Sequence, residues 1–117
     1  MRAVVIDDDQ LNIDLVITFL HRFCPEVQVV GQATDLESAL EVINHQKPDV
    51  LFLDIELHDK TAIDLLELLH VDGLQVIIIS AFDKYALQMH KYDITTYLLK
   101  PLVIKDLVEA VAMAKKG

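Results

Sequence analysis

Two hydrophobic periods alternate along the chain. Ala3–Ile6, Val27–Val30, Val50–Leu53, Val76–Ile79 and Thr96–Leu99 are short and nearly continuous in apolarity, as expected of strands covered on both faces. Between and after them, apolar residues recur at i, i+3, i+4 and i+7, the spacing of one helix face. The sets are Ile13, Val16, Ile17 and Leu20; Leu36, Ala39, Leu40 and Ile43; Ala62, Leu65, Leu66 and Leu69; Phe82, Tyr85, Ala86 and Met89; and Ile104, Leu107, Val108 and Val111. Pro25 and Pro48 stand where the first two helices must end. Thr34 or Asp35 is placed to cap the second helix and Asp83 the fourth.

Five strand–helix units predict an α/β fold, a parallel sheet with helices on both sides. Right-handed crossovers leave few arrangements, and the flavodoxin-like, doubly wound order 2-1-3-4-5 is the common one. Its switch point lies between strands 1 and 3. At 117 residues the chain fits one domain, and it contains no linker or repeat.

The residues that end these strands carry the chemistry. Strand 1 stops at Asp7-Asp8-Asp9, strand 3 at Asp54, strand 4 at Ser80 and strand 5 at Lys100-Pro101. The carboxyl edge of an open α/β sheet is where ligands bind. Crowded carboxylates need a cation or a proton to relieve their repulsion. Mg²⁺ suits such a site, because it takes one or two carboxylates and keeps waters that a phosphate can displace. The plainer alternative is that Asp8 or Asp9 caps the first helix. Asp54 is a candidate base, metal ligand or nucleophile; carboxylates do form aspartyl-phosphates. Phosphoryl transfer needs positive charge and positioning, which Lys100 and the Ser80 hydroxyl are placed to supply.

Composition removes several alternatives. A net charge of −9 with dispersed Lys and Arg argues against direct nucleic-acid binding. A lone cysteine, Cys24, excludes an internal disulfide and points to a reducing, cytoplasmic setting. The N-terminus is too short and acidic for a signal peptide, and no apolar run approaches a membrane span. His21, His45, His58, His70 and His90 lack zinc-ligand spacing and are expected at the surface. Glycine occurs only at positions 31, 73 and 117, so neither a P-loop nor a dinucleotide fingerprint exists.

Val5-Ile6-Asp7-Asp8-Asp9, Leu53-Asp54-Ile55, Ile79-Ser80-Ala81-Phe82 and Tyr97-Leu98-Leu99-Lys100-Pro101 together resemble the receiver domain of two-component response regulators, over essentially the whole chain. The resemblance implies that Asp54 accepts a phosphoryl group from a sensor histidine kinase or a small donor. The chain would then catalyse its own phosphorylation and dephosphorylation without being a conventional turnover enzyme. It implies Mg²⁺ (or Mn²⁺) held by Asp7, Asp8, Asp54 and the backbone carbonyl of Glu56. Lys100 and Ser80 would contact the phosphoryl group, Tyr97 would swing inward as Ser80 moves, and the Lys100–Pro101 bond would be cis. The responding face would comprise the fourth predicted helix, the last strand and the last helix, which is also the expected face of any homodimer.

Ala81-Phe82-Asp83-Lys84-Tyr85-Ala86-Leu87, followed by Tyr97–Pro101, is similar to the subgroup carrying a LytTR DNA-binding domain. That output domain would lie outside this chain, residues 1–117 being the receiver. Two positions depart from the family pattern. Pro usually stands four residues after the phosphoacceptor and Gly eight after; here these are His58 and Ala62. An unusual path is therefore expected after strand 3, or a different start to the third helix. The departure also motivates a second reading, an interaction module that works without phosphorylation. A third, an aspartate-nucleophile phosphatase, fits less well because those enzymes generally carry the nucleophile after the first strand.

Overall fold

A computed structural model describes residues 1–69 and 71–117, with His90 described by its backbone alone. In chain order the main elements are β1 (Arg2–Ile6), α1 (Gln10–Phe23), β2 (Gln28–Ala33), α2 (Leu36–Gln46), β3 (Val50–Leu53), β4 (Glu56–Leu57), β5 (Lys60–Thr61), α3 (Ala62–Leu68), β6 (Gln75–Ser80), β7 (Thr96–Leu99) and α4 (Ile104–Lys116). Five strands form one parallel sheet in the order β2-β1-β3-β6-β7, while β4 and β5 make a separate antiparallel hairpin. Counting only the strands of the large sheet, this is the order 2-1-3-4-5, and the fold is the expected flavodoxin-like one.

Successive side chains of a strand face opposite sides of its sheet, so each central strand feeds two cores. Ala3, Val5, Val50, Phe52, Ile77 and Ile79 pack with Ile13, Val16 and Leu20 of α1 and Leu107, Ala110 and Val111 of α4. Val4, Ile6, Leu51, Leu53 and Ile78 pack with Ala39 and Ile43 of α2 and Leu65 of α3. This double coverage explains why β1 and β3 read as unbroken apolar runs. The edge strand β2 runs longer than its apolar stretch, because pairing with β1 carries it through Gly31 and Gln32 to Ala33. Gln32 is exposed there, its Oε1 accepting from Gln10 Nε2 at the start of α1 at 2.7 Å.

Local chemistry sets the helix starts. Asp9 caps α1 by accepting from Leu11 N at 2.9 Å, and Asp35 caps α2 by accepting from Ser38 N at 2.8 Å. At the start of α3, Thr61 N donates to Asp64 Oδ2 at 2.9 Å. Ala62 is the first residue of α3, fully buried, and its N–H donates to the Ile55 carbonyl at 2.7 Å.

The fourth predicted helix is not an α-helix. Residues 84–87 form a turn and Gln88–Lys91 a single 3₁₀ turn. Ala86 N donates to the Asp83 carbonyl, a three-residue bond, and among the described residues of this stretch Met89 N makes a four-residue bond, to the Tyr85 carbonyl. The 3₁₀ turn is entered at Leu87 without a side-chain cap, so Asp83 does not play the capping part expected of it. Helices this short draw most of their stability from burying a face. Of the four residues predicted to form that face only Met89 is buried; Phe82 is 45% exposed. A cleft of about 310 Å³, lined by Ala86, Met89, Tyr92, Ile94 and Tyr97 among others, lies beside this stretch. The face of α4 is also rotated from the expected one, with Ala110 and Ala114 buried and Val108 40% exposed.

Candidate phosphoacceptor and metal site

Register alone brings the strand ends together. Asp54 N donates to the Ile6 carbonyl at 2.9 Å, Asp7 N to the Ala33 carbonyl at 3.1 Å, and Lys100 N to the Ser80 carbonyl at 2.7 Å. These bonds continue the strand ladders by one step, so residues just past β1, β3 and β7 occupy fixed positions at one edge. The Lys100–Pro101 peptide at the end of β7 is cis.

Asp7 and Asp54 are buried, Asp8 is half-buried, and ligand oxygens from all three lie within 4.8 Å of one another. Lys100 Nζ reaches Asp7 Oδ2 at 3.0 Å and Asp54 Oδ2 at 3.4 Å. Asp9, whose side chain caps α1, contributes its backbone N–H to Asp7 Oδ1 at 2.9 Å. The aspartate triplet thus divides its labour: the two readings of it, cap and ligand cluster, apply to different residues.

Burial pushes the Asp54 carboxyl up to about 6, and the neighbouring Asp7 charge adds to this, against the pull of Lys100. For Lys100, burial favours the neutral amine, but the hydrogen bond to Asp7 and the charges of Asp54 and Asp7 outweigh it and hold the ammonium above its usual range. One ammonium among three carboxylates leaves an excess of negative charge. The donors are hard oxygens, the set that suits Mg²⁺ or Mn²⁺. The residues therefore fit such an ion.

Ser80 is the last residue of β6 and is buried, its Oγ accepting from Phe82 N at 3.1 Å. Tyr97 lies half-buried on β7 with its hydroxyl donating to the Phe82 carbonyl. Burial raises its phenol above the usual range, against a lowering influence of the nearby Ser80 hydroxyl, and Asp83, Tyr85 and Asp54 add to the rise. The Tyr97 hydroxyl is thus engaged with the loop after β6 and not with the carboxylates. Glu56 is half-buried in β4, two residues beyond Asp54. The β4–β5 hairpin itself went unforeseen, since its turn residues His58 and Asp59 lack the glycine that usually signals one. His21, His45 and His58 are exposed, whereas His70 and the side chain of His90 lie outside the described residues.

The sequence matches the response regulator receiver domain over residues 3–112. The chain belongs to the response regulator receiver family. It is 33% identical over 118 residues to the sensory transduction protein LytT of Bacillus anthracis, an alignment covering 99% of this chain and 48% of that protein. It is 38% identical over 103 residues to an uncharacterized response regulatory protein of Vibrio parahaemolyticus, covering 87% and 42% of the two chains. This receiver domain thus spans about half the length of the curated relatives it matches. Among solved structures, the signal receiver domain of the putative response regulator NarL from Mycobacterium tuberculosis superimposes with a TM-score of 0.80 at 33% identity, covering 99% of this chain and 96% of that one. The response regulatory domain of protein mrkE from Klebsiella pneumoniae gives 0.89 at 19% identity, covering 99% and 96%, a likeness of fold. Among the described residues, no helix is long and apolar enough to cross a membrane.

Proposed function

We propose that this receiver is a phosphorylation switch in which Asp54 takes a phosphoryl group from the phosphohistidine of a sensor kinase. The observation that carries this reading is the meeting of Asp54 with Asp7, Asp8 and Lys100 at one edge of the sheet. A bond forms between an Asp54 oxygen and phosphorus as the bond from phosphorus to the donor nitrogen breaks. Mg²⁺ or Mn²⁺, held by Asp7, Asp8, Asp54 and the Glu56 carbonyl, supplies positive charge that offsets the phosphoryl oxygens. Lys100 shifts from its two carboxylate partners to a phosphoryl oxygen, and the Ser80 hydroxyl, at present an acceptor, donates to another.

The consequence is mechanical. Drawing Ser80 inward disturbs its bond with Phe82 N, and Tyr97 leaves the Phe82 carbonyl to follow. Both hydrogen bonds belong to the loosely held stretch 82–91, so new charge at the site biases the face formed by that stretch, β7 and α4. Leu87, Leu99, Val103 and Val108 are exposed around that face, which we assign to output or homodimer contacts. Residues 1–117 act as the receiver of a longer cytoplasmic regulator, with a LytTR-type DNA-binding output domain outside this chain; the LytT relatives support that assignment.

A phosphorylation-independent interaction module is the second reading, favoured by the positive φ of 60° at His58 in place of the family's usual proline. Incubation with acetyl phosphate and Mg²⁺ separates the two. The expected outcome is an adduct of ~80 Da by intact mass, absent in Asp54→Asn. No adduct with either acetyl phosphate or a kinase would leave the second reading standing.

A further inference from the structure

His58 sits at the tip of the β4–β5 hairpin with φ 60°, in the left-handed region that few side chains adopt. The favoured two-residue hairpin turns have positive φ at the first central position, or at both, and the register Leu57↔Lys60 makes His58 that first residue. Paired residues in an antiparallel ladder alternate between exchanging hydrogen bonds and exchanging none. Leu57 and Lys60 close the loop, and Ile55 and Ala62 are joined by the 2.7 Å bond from Ala62 N to the Ile55 carbonyl. Glu56 and Thr61 stand between these two bonded pairs and so form the unbonded one. Consistent with that, Thr61 N donates sideways to Asp64 Oδ2 instead of across the hairpin. The Glu56 carbonyl is therefore left out of the ladder, on a strand that leaves Asp54 through the fully buried Ile55.

We propose that His58 is a positioning residue for the metal: its left-handed turn sets the hairpin register that keeps the Glu56 carbonyl free as a ligand. The proposal rests on the metal site assigned above. Slipping the hairpin by one residue exchanges the bonded and unbonded pairs and ties the Glu56 carbonyl into the ladder. Proline, usual here in the family, has φ fixed near −65° and does not fit this turn. This receiver has thus exchanged one way of shaping the loop for another, and the backbone conformation at position 58, not the imidazole, is what matters. Ala62 belongs to the same solution. It opens α3 at negative φ, where the conformational freedom of a glycine is not needed.

The test is calorimetric titration of the unphosphorylated chain with Mg²⁺ alone. His58→Gly and His58→Asn, which tolerate positive φ, are expected to bind within twofold of the natural sequence. His58→Pro is expected to bind about tenfold more weakly, the scale of losing support around a metal ligand. Inserting one glycine between His58 and Asp59, at an exposed tip, is expected to weaken binding similarly while circular dichroism and Tm report a retained fold. Equal Mg²⁺ affinity in the proline and insertion variants would overturn the proposal. So would an equal loss in His58→Gly, or loss of fold in both disruptive variants. Asp8→Asn tests the underlying site separately: if it leaves Mg²⁺ affinity unchanged, the metal assignment fails, whatever the hairpin variants do.

Discussion

Two stretches at the same edge of the sheet are held in opposite ways. The ends of β1 and β3 emerge from strands with every side chain from Ala3 to Ile6 and from Val50 to Leu53 buried, and backbone bonds carry their registry on to Asp7 and Asp54. The stretch from Ala81 to Thr95 leaves β6 with one fully buried apolar anchor, Met89, among its described side chains, and lies beside a cleft. Tyr85, Tyr92 and Ile94 are only partly buried against the core. Its hydrogen bonds to the rest of the molecule include those from Tyr97 to the Phe82 carbonyl, Phe82 N to Ser80 Oγ, Tyr92 to Glu67 Oε1 at 2.8 Å and Thr95 N to the Val76 carbonyl. A phosphoacceptor needs groups that stay in place, whereas a responding surface needs a low cost of rearrangement. Lys100 joins the two regions: its backbone bonds to the end of β6 while its ammonium reaches the carboxylates of β1 and β3.

The sharpest way to break this contrast is to truncate one leucine in each region. Leu53→Ala, at a fully buried site, is expected to cost about 2–5 kcal/mol in urea unfolding. Leu87→Ala, at a site 81% exposed, should fall within about 0.5 kcal/mol of the natural sequence. Comparable losses would mean that the stretch after β6 is packed as firmly as the central strands.

A smaller effect follows from the Asp54 carboxyl, raised to about 6 from its unfolded value of 3.8. Between these values the folded chain binds more protons than the unfolded one, so stability declines as pH rises from about 4 to about 6 and then levels. After allowing for solvent screening at the open side of the site, this contribution is about 1–2 kcal/mol. Asp54→Asn should flatten that part of the pH–stability curve. An unchanged slope would show that Asp54 ionises without penalty.

A more local change is expected in Tyr92→Phe, which removes the exposed bond to Glu67. It should cost below about 1 kcal/mol and speed amide exchange at Gln88–Lys91 while leaving Val50–Leu53 unaffected. Equal acceleration in both stretches would make Tyr92 a support of the whole fold.

Most of the sheet and its ligand edge were legible in the sequence, because strands buried on both faces leave unmistakable runs such as Val50–Leu53 and the polar residue that ends each run marks the sheet edge. Less legible were features that depend on neighbours. The spacing of Phe82, Tyr85, Ala86 and Met89 is helical, yet periodicity does not reveal whether a surface exists to cover that face; here Phe82 stays exposed and the chain folds into turns. The length of β2 was hidden because an edge strand takes its extent from pairing with β1, not from its own apolarity. Nor did Glu56–Thr61 announce a hairpin, since His58 adopts a conformation that sequence pattern assigns to glycine or asparagine.

By itself the sequence determined the parallel sheet, its strand order and the residues at its carboxyl edge, because burial and chain connectivity leave few other solutions. Only the tertiary structure decided how those residues divide their work. It made Asp9 a cap and gave Asp7 and Asp54 to Lys100, while Asp8 completes the carboxylate cluster. It turned the chain back at His58 and left the stretch after β6 unwound. The physical reason differs by feature: the carboxylate cluster and its Lys100 partner depend on distances that exist only once the strands have paired, whereas the Asp9 cap and the His58 turn are local choices among alternatives that the sequence pattern left open.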